Sequence, residues 1–396
     1  MARYEKMIRP VWAEVDLEAI RENIRQIRRF TARGGKAPEI MAVVKAEAYG
    51  HGAVATARAA LEAGATRLGV AMPEEGILLR EAGIDCPILV FTPLLPDQAE
   101  AFLEYGLTPT IAGEEGARAL SAATGRHGRK ARVHIKVDTG MGRVGVPPAE
   151  APGLARKVAA LPNLEVEGVY SHFATADEAD LSFAYHQLDL FKEVLKNLEE
   201  AGVKIPLRHI ANSGAIINLP ESYFDLVRPG IIIYGLYPSE ETPRDRLPLK
   251  PALSLKARVI QVKRVPPGTG ISYGQIYHTQ KATNIVTLPL GYADGWSRLL
   301  SGKARVLLKG KSFPLVGRVC MDQCMADVGD LEVEPGEEAV LIGRQGEEEI
   351  SADEVAGLLG TINYEVVCML SDRVPRVWLH AGSREKDEKK IKVVDK

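Results

Sequence analysis

Lys45 lies where a short apolar run ends and a glycine-rich turn begins. Residues 41–44 are Met-Ala-Val-Val, and the turn Gly-His-Gly follows at positions 50–52. A primary amine at the end of a buried strand can hold a carbonyl cofactor as a Schiff base. A single lysine at a strand end is more often a solvated cap, so the groups that lie beside Lys45 decide between the two interpretations.

Several other polar side chains also follow short apolar runs, and their chemistry is complementary. The candidates are Lys136, Asp138, Arg143, Ser171, His172, Asn212, Ser213 and Arg228. Taken singly, each has a structural explanation; Asn212 and Ser213, for example, are ordinary residues for a helix start. A helix start also favours phosphate, because its backbone N–H groups and its dipole attract an anion. Together with an amine and two arginines, it suits a phosphorylated aldehyde cofactor and an acidic substrate group.

The placement of these groups depends on an alternation of strands and helices between Val11 and about Tyr237. Eight apolar, mostly β-branched runs alternate with helical stretches. The predicted strands are 42–44, 67–71, 88–91, 107–111, 133–137, 166–170, 207–210, and 226–227 continuing into 231–233. Eight such units predict an α/β fold with a (β/α)8 TIM-type barrel, whose reactive groups lie at the carboxyl ends of the strands. An open doubly wound sheet is the alternative, but no glycine fingerprint of dinucleotide binding follows the first strand.

Beyond the barrel the pattern changes. A segment rich in proline and charge at 238–251 is followed by hydrophobic alternation with a period of two. We predict a mostly-β C-terminal domain with strands at 254–264, 284–290, 304–308 and 339–342, and one short helix near 351–359 with a capping box of Ser351 and Glu354. The predicted division is 1–240 for the barrel, 241–382 for the β-rich domain and 383–396 for a charged tail. Residues 11–17 also alternate, and residues 1–17 are candidates to pair with the second domain.

The overall composition argues against several classes of protein. A net charge of −2 over 396 residues gives no reason to expect nucleic acid or an anionic membrane as a partner. No apolar run approaches the roughly 18 residues that span a bilayer, and the charged start of the sequence does not resemble a signal peptide. The four cysteines are widely spread, which predicts reduced thiols in a cytoplasmic protein and no metal site.

Seven motifs follow one another along the chain, at 42–52, 134–145, 171–177, 228–231, 271–274, 291–295 and 317–322. In sequence and in order they resemble those of the pyridoxal-phosphate-dependent alanine racemase family, and the resemblance extends over nearly the whole chain apart from the tail. Glu47 departs from the family pattern, in which aspartate is commoner at that position. The substitution keeps the carboxylate, so we expect no change in the chemistry.

The resemblance implies roles for individual residues. Lys45 carries pyridoxal 5'-phosphate, while His172 and Arg228 lie beside the cofactor ring, with Arg228 facing the pyridine nitrogen. The further cofactor-binding residues are Tyr49, Asn212, Ser213, Gly230, Ile231 and Tyr364, most of them at the phosphate. The substrate-binding residues are Arg143, Met321 and Tyr292. Lys136 corresponds to a lysine that the family often carries as a carbamate, which then orients Arg143.

The resemblance also implies the reaction, which interconverts L-alanine and D-alanine and supplies D-alanine for peptidoglycan. Racemisation removes a proton from one face of Cα and returns one to the other, which a single rigid base cannot easily do. Lys45 would serve one face, and Tyr273 from the other chain of a head-to-tail homodimer would serve the opposite face. A guanidinium only donates hydrogen bonds, so Arg228 would leave the pyridine nitrogen unprotonated and limit transamination as a side reaction.

The sequence leaves two alternatives open. The first is another enzyme on the same scaffold: a broad-specificity racemase for lysine or serine, or a basic amino-acid decarboxylase, whose motifs we do not find. The second is a non-catalytic protein of pyridoxal-phosphate homeostasis. Such proteins consist of the barrel alone, whereas this chain has a second domain that carries Tyr273 and Met321.

Overall fold

The computed structural model describes residues 8–32 and 37–381. The contacts among these residues divide them into two compact units, which we call the barrel unit and the β unit. The barrel unit comprises Glu18–Ala48 and Gly52–Pro251, and the β unit comprises the residues up to Leu17, Tyr49–His51 and those from Ala252 onwards. The segment 241–251, placed in the second domain on sequence grounds, falls within the barrel unit. The predicted tail at 383–396 lies outside the described residues.

The first strand, β1 (Val11–Asp16), belongs to the β unit, and eight parallel strands then form the barrel unit. These are β2 (Glu39–Val43), β3 (Arg67–Val70), β4 (Ile88–Pro93), β5 (Thr108–Ile111), β6 (Ala131–Lys136), β7 (Leu164–Tyr170), β8 (Leu207–His209) and β9 (Leu226–Val227). Their order is β8-β7-β6-β5-β4-β3-β2-β9. Where β8 and β9 meet, the Arg228 N–H donates to the Ala211 carbonyl at 3.0 Å. The nearly closed barrel confirms the predicted (β/α)8 fold.

Helices follow the barrel strands. They are α1 (Leu17–Thr31), α2 (Lys45–Tyr49), α3 (Ala53–Glu62), α4 (Pro73–Glu81), α5 (Ala99–Glu104), α6 (Glu114–His127), α7 (Ala151–Ala159), α8 (Ser182–Glu200) and α9 (Ser213–Asn218). The amphipathic pattern explains the long ones: Leu188, Phe191 and Val194 recur at helical spacing along α8 and are buried. The short α2 is exceptional, because its backbone is left-handed.

The last predicted barrel strand is only partly correct. Leu226 and Val227 form β9, but Ile231–Tyr234 is a 3-10 helix and not a continuation of the strand. The β-branched residues at 231–233 favoured a strand on propensity alone. Gly230 has φ −110° and ψ −100°, which lies outside the strand region and redirects the chain. All three isoleucines are fully buried, so tertiary packing outweighs their local preference.

The β unit contains one large sheet and one small hairpin. After β1 its strands are β10 (Leu253–Arg258), β11 (Gln261–Val265), β12 (Gly270–Ile271), β13 (Tyr277–His278), β14 (Thr283–Leu288), β15 (Arg305–Leu308), β16 (Lys311–Val316), β17 (Cys324–Asp327), β18 (Glu338–Gln345), β19 (Glu348–Ile350) and β20 (Arg376–Leu379). The large sheet has the order β11-β14-β17-β16-β15-β18-β10-β1-β20, with β19 beside β18. Strands β12 and β13 form the hairpin. This architecture confirms the mostly-β fold of the second part.

Two details of the β unit differ from the sequence-based expectation. The strand expected at 254–264 is two strands, β10 and β11. The single helix expected near 351–359 is α10 (Ala352–Leu359), and a second short helix, α11 (Asn363–Cys368), follows it. Ser351 caps α10 by accepting the Glu354 N–H at 3.0 Å, which is one half of the expected capping box. Strand β1 pairs with β10 in antiparallel and with β20 in parallel orientation.

Candidate active site

Lys45 directly follows β2 at the carboxyl end of the barrel strands, which we call the barrel mouth. It is half-buried, and the four residues after it form a left-handed turn. Ala46, Glu47, Ala48 and Tyr49 have φ angles between 51° and 54°, although none is glycine. Left-handed backbone costs about 1–2 kcal/mol for each such residue. Strain of this size persists only where the surroundings enforce it, and it is typical of functional sites.

Arg228 follows β9, which pairs directly with β2, the strand that precedes Lys45. Its side chain is only 2% exposed. The guanidinium donates to the carbonyl oxygens of Ser171 at 2.8 Å and Ile210 at 3.1 Å, and to Nδ1 of His172 at 3.2 Å. Burial lowers the pKa of Arg228 to about 10, so the group stays positively charged at neutral pH. Among the described residues it forms no ion pair, which leaves a buried cation in the mouth.

A chain of buried hydrogen bonds continues from Arg228 into the barrel. Arginine can only donate, so Nδ1 of His209 accepts from Arg228 at 2.8 Å. Nε2 of His209 then donates to Nδ1 of His134 at 2.8 Å, and Nε2 of His134 donates to Glu167 at 3.0 Å. Glu167 also accepts from Arg67, which donates through both terminal nitrogens at 3.1 Å, and it forms a longer ion pair with Arg132 at 3.6 Å. Burial lowers the pKa of both histidines, which keeps them neutral and fixes the direction of every bond.

His172 lies next to Arg228 and among several cations. Burial lowers its pKa well below the ordinary value, and Arg228, Lys136, Arg143 and Lys45 each lower it further. Those four side chains come from the ends of three barrel strands, Lys45 after β2, Lys136 and Arg143 at β6, and Arg228 after β9, and all of them act on His172. The imidazole therefore stays neutral, and its Nδ1 accepts a hydrogen bond from the Arg228 guanidinium.

Lys136 ends β6 and is 5% exposed. Its amine donates to the Val137 carbonyl at 2.8 Å. Burial lowers the pKa of Lys136 to about 7, helped by the positive charges of Arg228 and Arg143 and opposed by Asp138. The amine is therefore largely uncharged slightly above neutral pH. Arg143 lies in the exposed loop after β6, where the Asp138 carboxylate accepts the N–H groups of Gly140 at 3.0 Å and Gly142 at 3.1 Å.

Asn212 and Ser213 begin α9 as the sequence predicts. The side-chain oxygen of Asn212 accepts the Ala215 N–H at 3.0 Å, which is the bond of an N-cap. The Ser213 hydroxyl accepts the Gly230 N–H at 2.9 Å, so the segments after β8 and β9 are joined at this point. Ile231 follows directly. The fold thus brings Ser213, Gly230 and Ile231 to one part of the barrel mouth.

Tyr49 and Tyr364 face each other within the β unit. Their ring centroids are 5.9 Å apart, and the Tyr49 side chain is buried. The residues after Tyr49 are fixed to the same unit: the Gly50 carbonyl accepts from Arg376 at 2.9 Å, and a Cβ atom on Gly50 would lie 2.1 Å from the Val367 carbonyl oxygen. Gly50 therefore has to be glycine, both for this close approach and for its φ of +80°.

The β unit also presents the remaining candidates, and these are largely exposed. Tyr273 is 70% exposed and lies in the turn between β12 and β13. Tyr292 and Met321 are held together by backbone bonds, from the Tyr292 N–H to the Cys320 carbonyl and from the Ala293 N–H to the Met321 carbonyl, both 3.0 Å. A Cβ atom on Gly291 would lie 2.3 Å from the Met321 oxygen, which explains the glycine that precedes Tyr292.

Sequence reasoning missed several residues that support this arrangement. His209, His134 and Glu167 lie inside strands and were counted only as parts of strand patterns. The signal that could have identified them is a polar residue interrupting a buried parallel strand, since both faces of such a strand usually carry apolar residues. Glu75 was also missed; its carboxylate accepts the Ala46 N–H at 2.6 Å, directly after Lys45.

Comparison with known proteins places this geometry in context. Residues 15–238 match the family described as alanine racemase, N-terminal domain, and residues 252–378 match alanine racemase, C-terminal domain. A protein named alanine racemase from Desulforamulus reducens is 54% identical over 376 residues, which cover 94% of this chain and all of that protein. The solved structure of alanine racemase from Clostridium difficile 630 has a TM-score of 0.90 at 41% identity, covering 94% of this chain and 97% of that one.

One further solved structure differs in name. A histidine racemase from Leuconostoc mesenteroides subsp. sake has a TM-score of 0.87 at 31% identity, covering 95% of this chain and all of that one. The barrel and β domain together thus define a class of enzyme, the amino-acid racemases.

Within that class, the chain belongs to the alanine racemase family. Both family domains match in order, and a relative that is more than half identical spans nearly the whole chain. Because the second domain is present as well as the barrel, the non-catalytic single-domain alternative is not favoured.

Proposed function

We propose that this chain interconverts L-alanine and D-alanine, with pyridoxal 5'-phosphate as its cofactor and a homodimer as its active form. The observation that supports this most is the group of basic side chains at the barrel mouth, where Lys45, Lys136, Arg143 and Arg228 all act on His172. A cytoplasmic enzyme of this kind would supply D-alanine for peptidoglycan. Its four cysteines are free thiols, as expected of a protein in a reducing compartment.

The groups at the barrel mouth fit a phosphorylated aldehyde. Lys45 supplies a primary amine at a strained turn, as a covalent carrier requires. The Ser213 hydroxyl accepts from Gly230 and keeps its own hydrogen to donate to a phosphate oxygen. Arg228 adds N–H donors in a buried position without an ion-pair partner among the described residues, which favours a neutral ring nitrogen as acceptor.

Each residue of the cofactor site has a proposed role, by resemblance to the family. Lys45 would hold the cofactor covalently, His172 would lie beside its ring, and Arg228 would donate to the ring nitrogen. The remaining residues proposed to hold it are Tyr49, Asn212, Ser213, Gly230, Ile231 and Tyr364, most of them at the phosphate. When bound, the cofactor acidifies the Cα–H bond of an amino acid by accepting its electrons.

Two bases of this chain then complete the reaction. The Lys45 amine takes a proton from one face of Cα or returns one to it. Tyr273 of the partner subunit does the same on the opposite face, where it would take a proton as the phenolate and return one as the hydroxyl. Arg143, Met321 and Tyr292 would contact the substrate and fix its orientation, so that Cα lies between the two bases. The exposure of Tyr273, Tyr292 and Met321 together supports the homodimer, because a site formed with a second subunit would cover all three.

Lys136 is proposed to carry a carbamate. Its amine attacks carbon dioxide, so that an N–C bond forms and one amine proton leaves to solvent. The pKa of about 7 supports this, because burial leaves a substantial fraction of the amine uncharged, and therefore nucleophilic, near neutral pH. The negative carbamate would then lie near Arg143 and hold its guanidinium. Carbon-13 NMR after exposure to labelled bicarbonate should show one carbamate signal that Lys136→Gln lacks; the same signal in both proteins would contradict the assignment.

Chiral product analysis tests the proposed reaction. Purified protein with pyridoxal 5'-phosphate should convert L-alanine and D-alanine into each other, while Lys45→Ala should lose at least about 10³-fold in rate, because both the covalent carrier and one base are removed. Lys204→Ala is the matched control, since Lys204 is an exposed lysine of the same unit.

A panel of amino acids should be run beside alanine. Lysine, serine and histidine distinguish a strict enzyme from a broad one, and alanine should have the highest kcat/KM. Absence of alanine interconversion by the wild type would contradict the proposal. A higher kcat/KM for another amino acid of the panel would show that this amino acid, and not alanine, is the preferred substrate.

A further inference from the structure

The left-handed turn after Lys45 needs a source of stabilisation. Four successive residues that are not glycine have positive φ. In water the chain would leave this conformation, because each of these residues is more stable with negative φ. The direction in which the Lys45 side chain leaves the backbone depends on this turn. Whatever holds the turn therefore also places the amine.

Glu75 holds the turn through an unusual set of bonds. Its Oε1 accepts the Ala46 N–H at 2.6 Å. Its Oε2 accepts the N–H groups of Ala71 at 2.7 Å and Met72 at 3.1 Å. One carboxylate thus binds three backbone amides from the ends of two neighbouring barrel strands, β2 and β3. Hydrogen bonds to a charged acceptor are about twice as strong as neutral ones.

The far end of the turn is closed by other groups. The Glu47 carbonyl accepts the Gly52 N–H at 2.8 Å, and its carboxylate accepts the Ala53 N–H at 3.1 Å, at the start of α3. The Ala48 N–H donates to the Val44 carbonyl at 3.0 Å. At the entry of the turn, Glu75 is the side chain that binds the first amide after Lys45. Its helix, α4, contributes Glu75 as the third residue of its first turn.

We propose that Glu75 is the positioning residue for Lys45: its carboxylate holds the left-handed turn and thereby sets the direction of the amine. The proposal rests on the proposed function, in which Lys45 carries the cofactor. Glutamine at position 75 keeps the size of the side chain but offers one carbonyl oxygen, and its NH2 group faces an N–H donor. At least one of the three bonds is then lost and replaced by a donor–donor contact.

Glu75→Gln can be tested without measuring racemisation. In the cofactor-free protein, hydrogen exchange should rise about tenfold or more in peptides covering 45–49 and 71–72, since bonds to charged groups contribute about 1.5–3 kcal/mol. The rate at which the apoprotein captures pyridoxal 5'-phosphate, followed by its absorbance, should fall by a similar factor. Glu74→Gln is the matched control, because Glu74 is an exposed carboxylate in the same helical turn.

A rescue variant distinguishes positioning from general damage. Ala46 is exposed, and glycine there would adopt positive φ without the steric cost. Ala46→Gly combined with Glu75→Gln should therefore recover much of the capture rate. If Glu75→Gln alone folds poorly, hydrogen exchange and cofactor capture can be measured on the double variant. Equal exchange and capture in Glu75→Gln and Glu74→Gln would overturn the inference, and so would a double variant no better than Glu75→Gln. If Lys45→Ala still showed the absorbance of pyridoxal 5'-phosphate bound to a lysine as a Schiff base, the proposed function would instead be contradicted.

Discussion

Lys45 and Tyr273 both lie in turns with positive φ, yet the two turns are stabilised differently. The Lys45 turn is held by a carboxylate that binds three amides, and Lys45 itself is half-buried. Tyr273 lies between Ser272, at φ 65°, and Gly274, at φ 70°, and is 70% exposed. The Ser272 hydroxyl donates to the Arg318 carbonyl at 2.7 Å, which ties down the backbone beside Tyr273 but not its ring.

The contrast indicates how the two proposed bases are prepared for their tasks. In the barrel unit, Glu75 holds the start of the backbone turn that follows Lys45. The β unit fixes only the backbone that carries the Tyr273 hydroxyl, so the ring depends on whatever covers it. A fixed backbone with an exposed ring is expected of a base that works in a site shared with a second subunit, because the surroundings of the ring form only when the two subunits assemble.

The largest effect is expected from Tyr273→Phe, which keeps the ring and removes the proposed base. Racemisation should fall by about 10²–10⁴-fold, the usual contribution of a general base. Exchange of the Cα proton with D2O should survive for one enantiomer of alanine, because Lys45 still serves its own face. Tyr185→Phe, at an exposed tyrosine of the barrel unit, is the control. Equal loss of exchange for both enantiomers would contradict the separation of the two faces.

A smaller effect is expected from Tyr277→Phe, at the start of β13 and close to the turn that carries Tyr273. The Tyr277 hydroxyl donates to Asp327 at 2.7 Å. Burial and the Asp327 charge raise the pKa of Tyr277 to about 12, so the bond persists throughout the neutral range. Its loss should lower kcat by roughly threefold to tenfold, as expected for one hydrogen bond, with the same one-sided pattern of proton exchange. His278→Gln, at the next residue of β13, is the control and should behave like the wild type. Equal slowing of proton exchange for both enantiomers in Tyr277→Phe would show that the Tyr277–Asp327 bond does not act through Tyr273.

The smallest effect on activity is expected from Glu167→Gln. This variant tests whether the buried hydrogen bonds of Glu167 stabilise the barrel unit. Burial opposes ionisation of Glu167, but His134 and Arg67 lower its pKa to about 2. The folded-state pKa is below the ordinary value of about 4.3, so this stabilisation is present above that pH and is lost as the pH falls toward about 2. The substitution should cost about 1–3 kcal/mol at pH 7.

Urea unfolding of Glu167→Gln and of the wild type at several pH values measures this cost. The difference between the two proteins should shrink as the pH falls below about 4. Glu100→Gln is the control, because Glu100 is an exposed carboxylate that pairs with Arg126 and His127. A difference that stays constant down to pH 3 would show that ionisation of Glu167 does not matter.

Much of the architecture follows from periodicity. Eight strand and helix units predict the barrel, and the barrel alone explains why Arg228 contacts His172 although 56 residues separate them in sequence. The pairing of Ser213 with Gly230 has the same origin, since neighbouring parallel strands bring their carboxyl ends together.

The left-handed turn could not be predicted in this way. Residues 46–49 contain no glycine or asparagine, the residues that usually signal positive φ. Its conformation depends on Glu75, which is distant in sequence. The directed bonds from Arg228 to Glu167 were equally hidden, because they require knowing which strand residues point toward one another.

A heterodimer of two inactive variants tests the central claim most directly. One chain carries Lys45→Ala and the other Tyr273→Phe, and two affinity tags isolate the mixed dimer after co-expression. If each site takes Lys45 from one subunit and Tyr273 from the other, one site keeps both bases and the second has neither. The account predicts about half of the wild-type activity for a dimer with two equivalent sites, while each homodimer of a single variant stays inactive. Activity of the mixed dimer as low as that of the two homodimers would contradict a site shared between subunits.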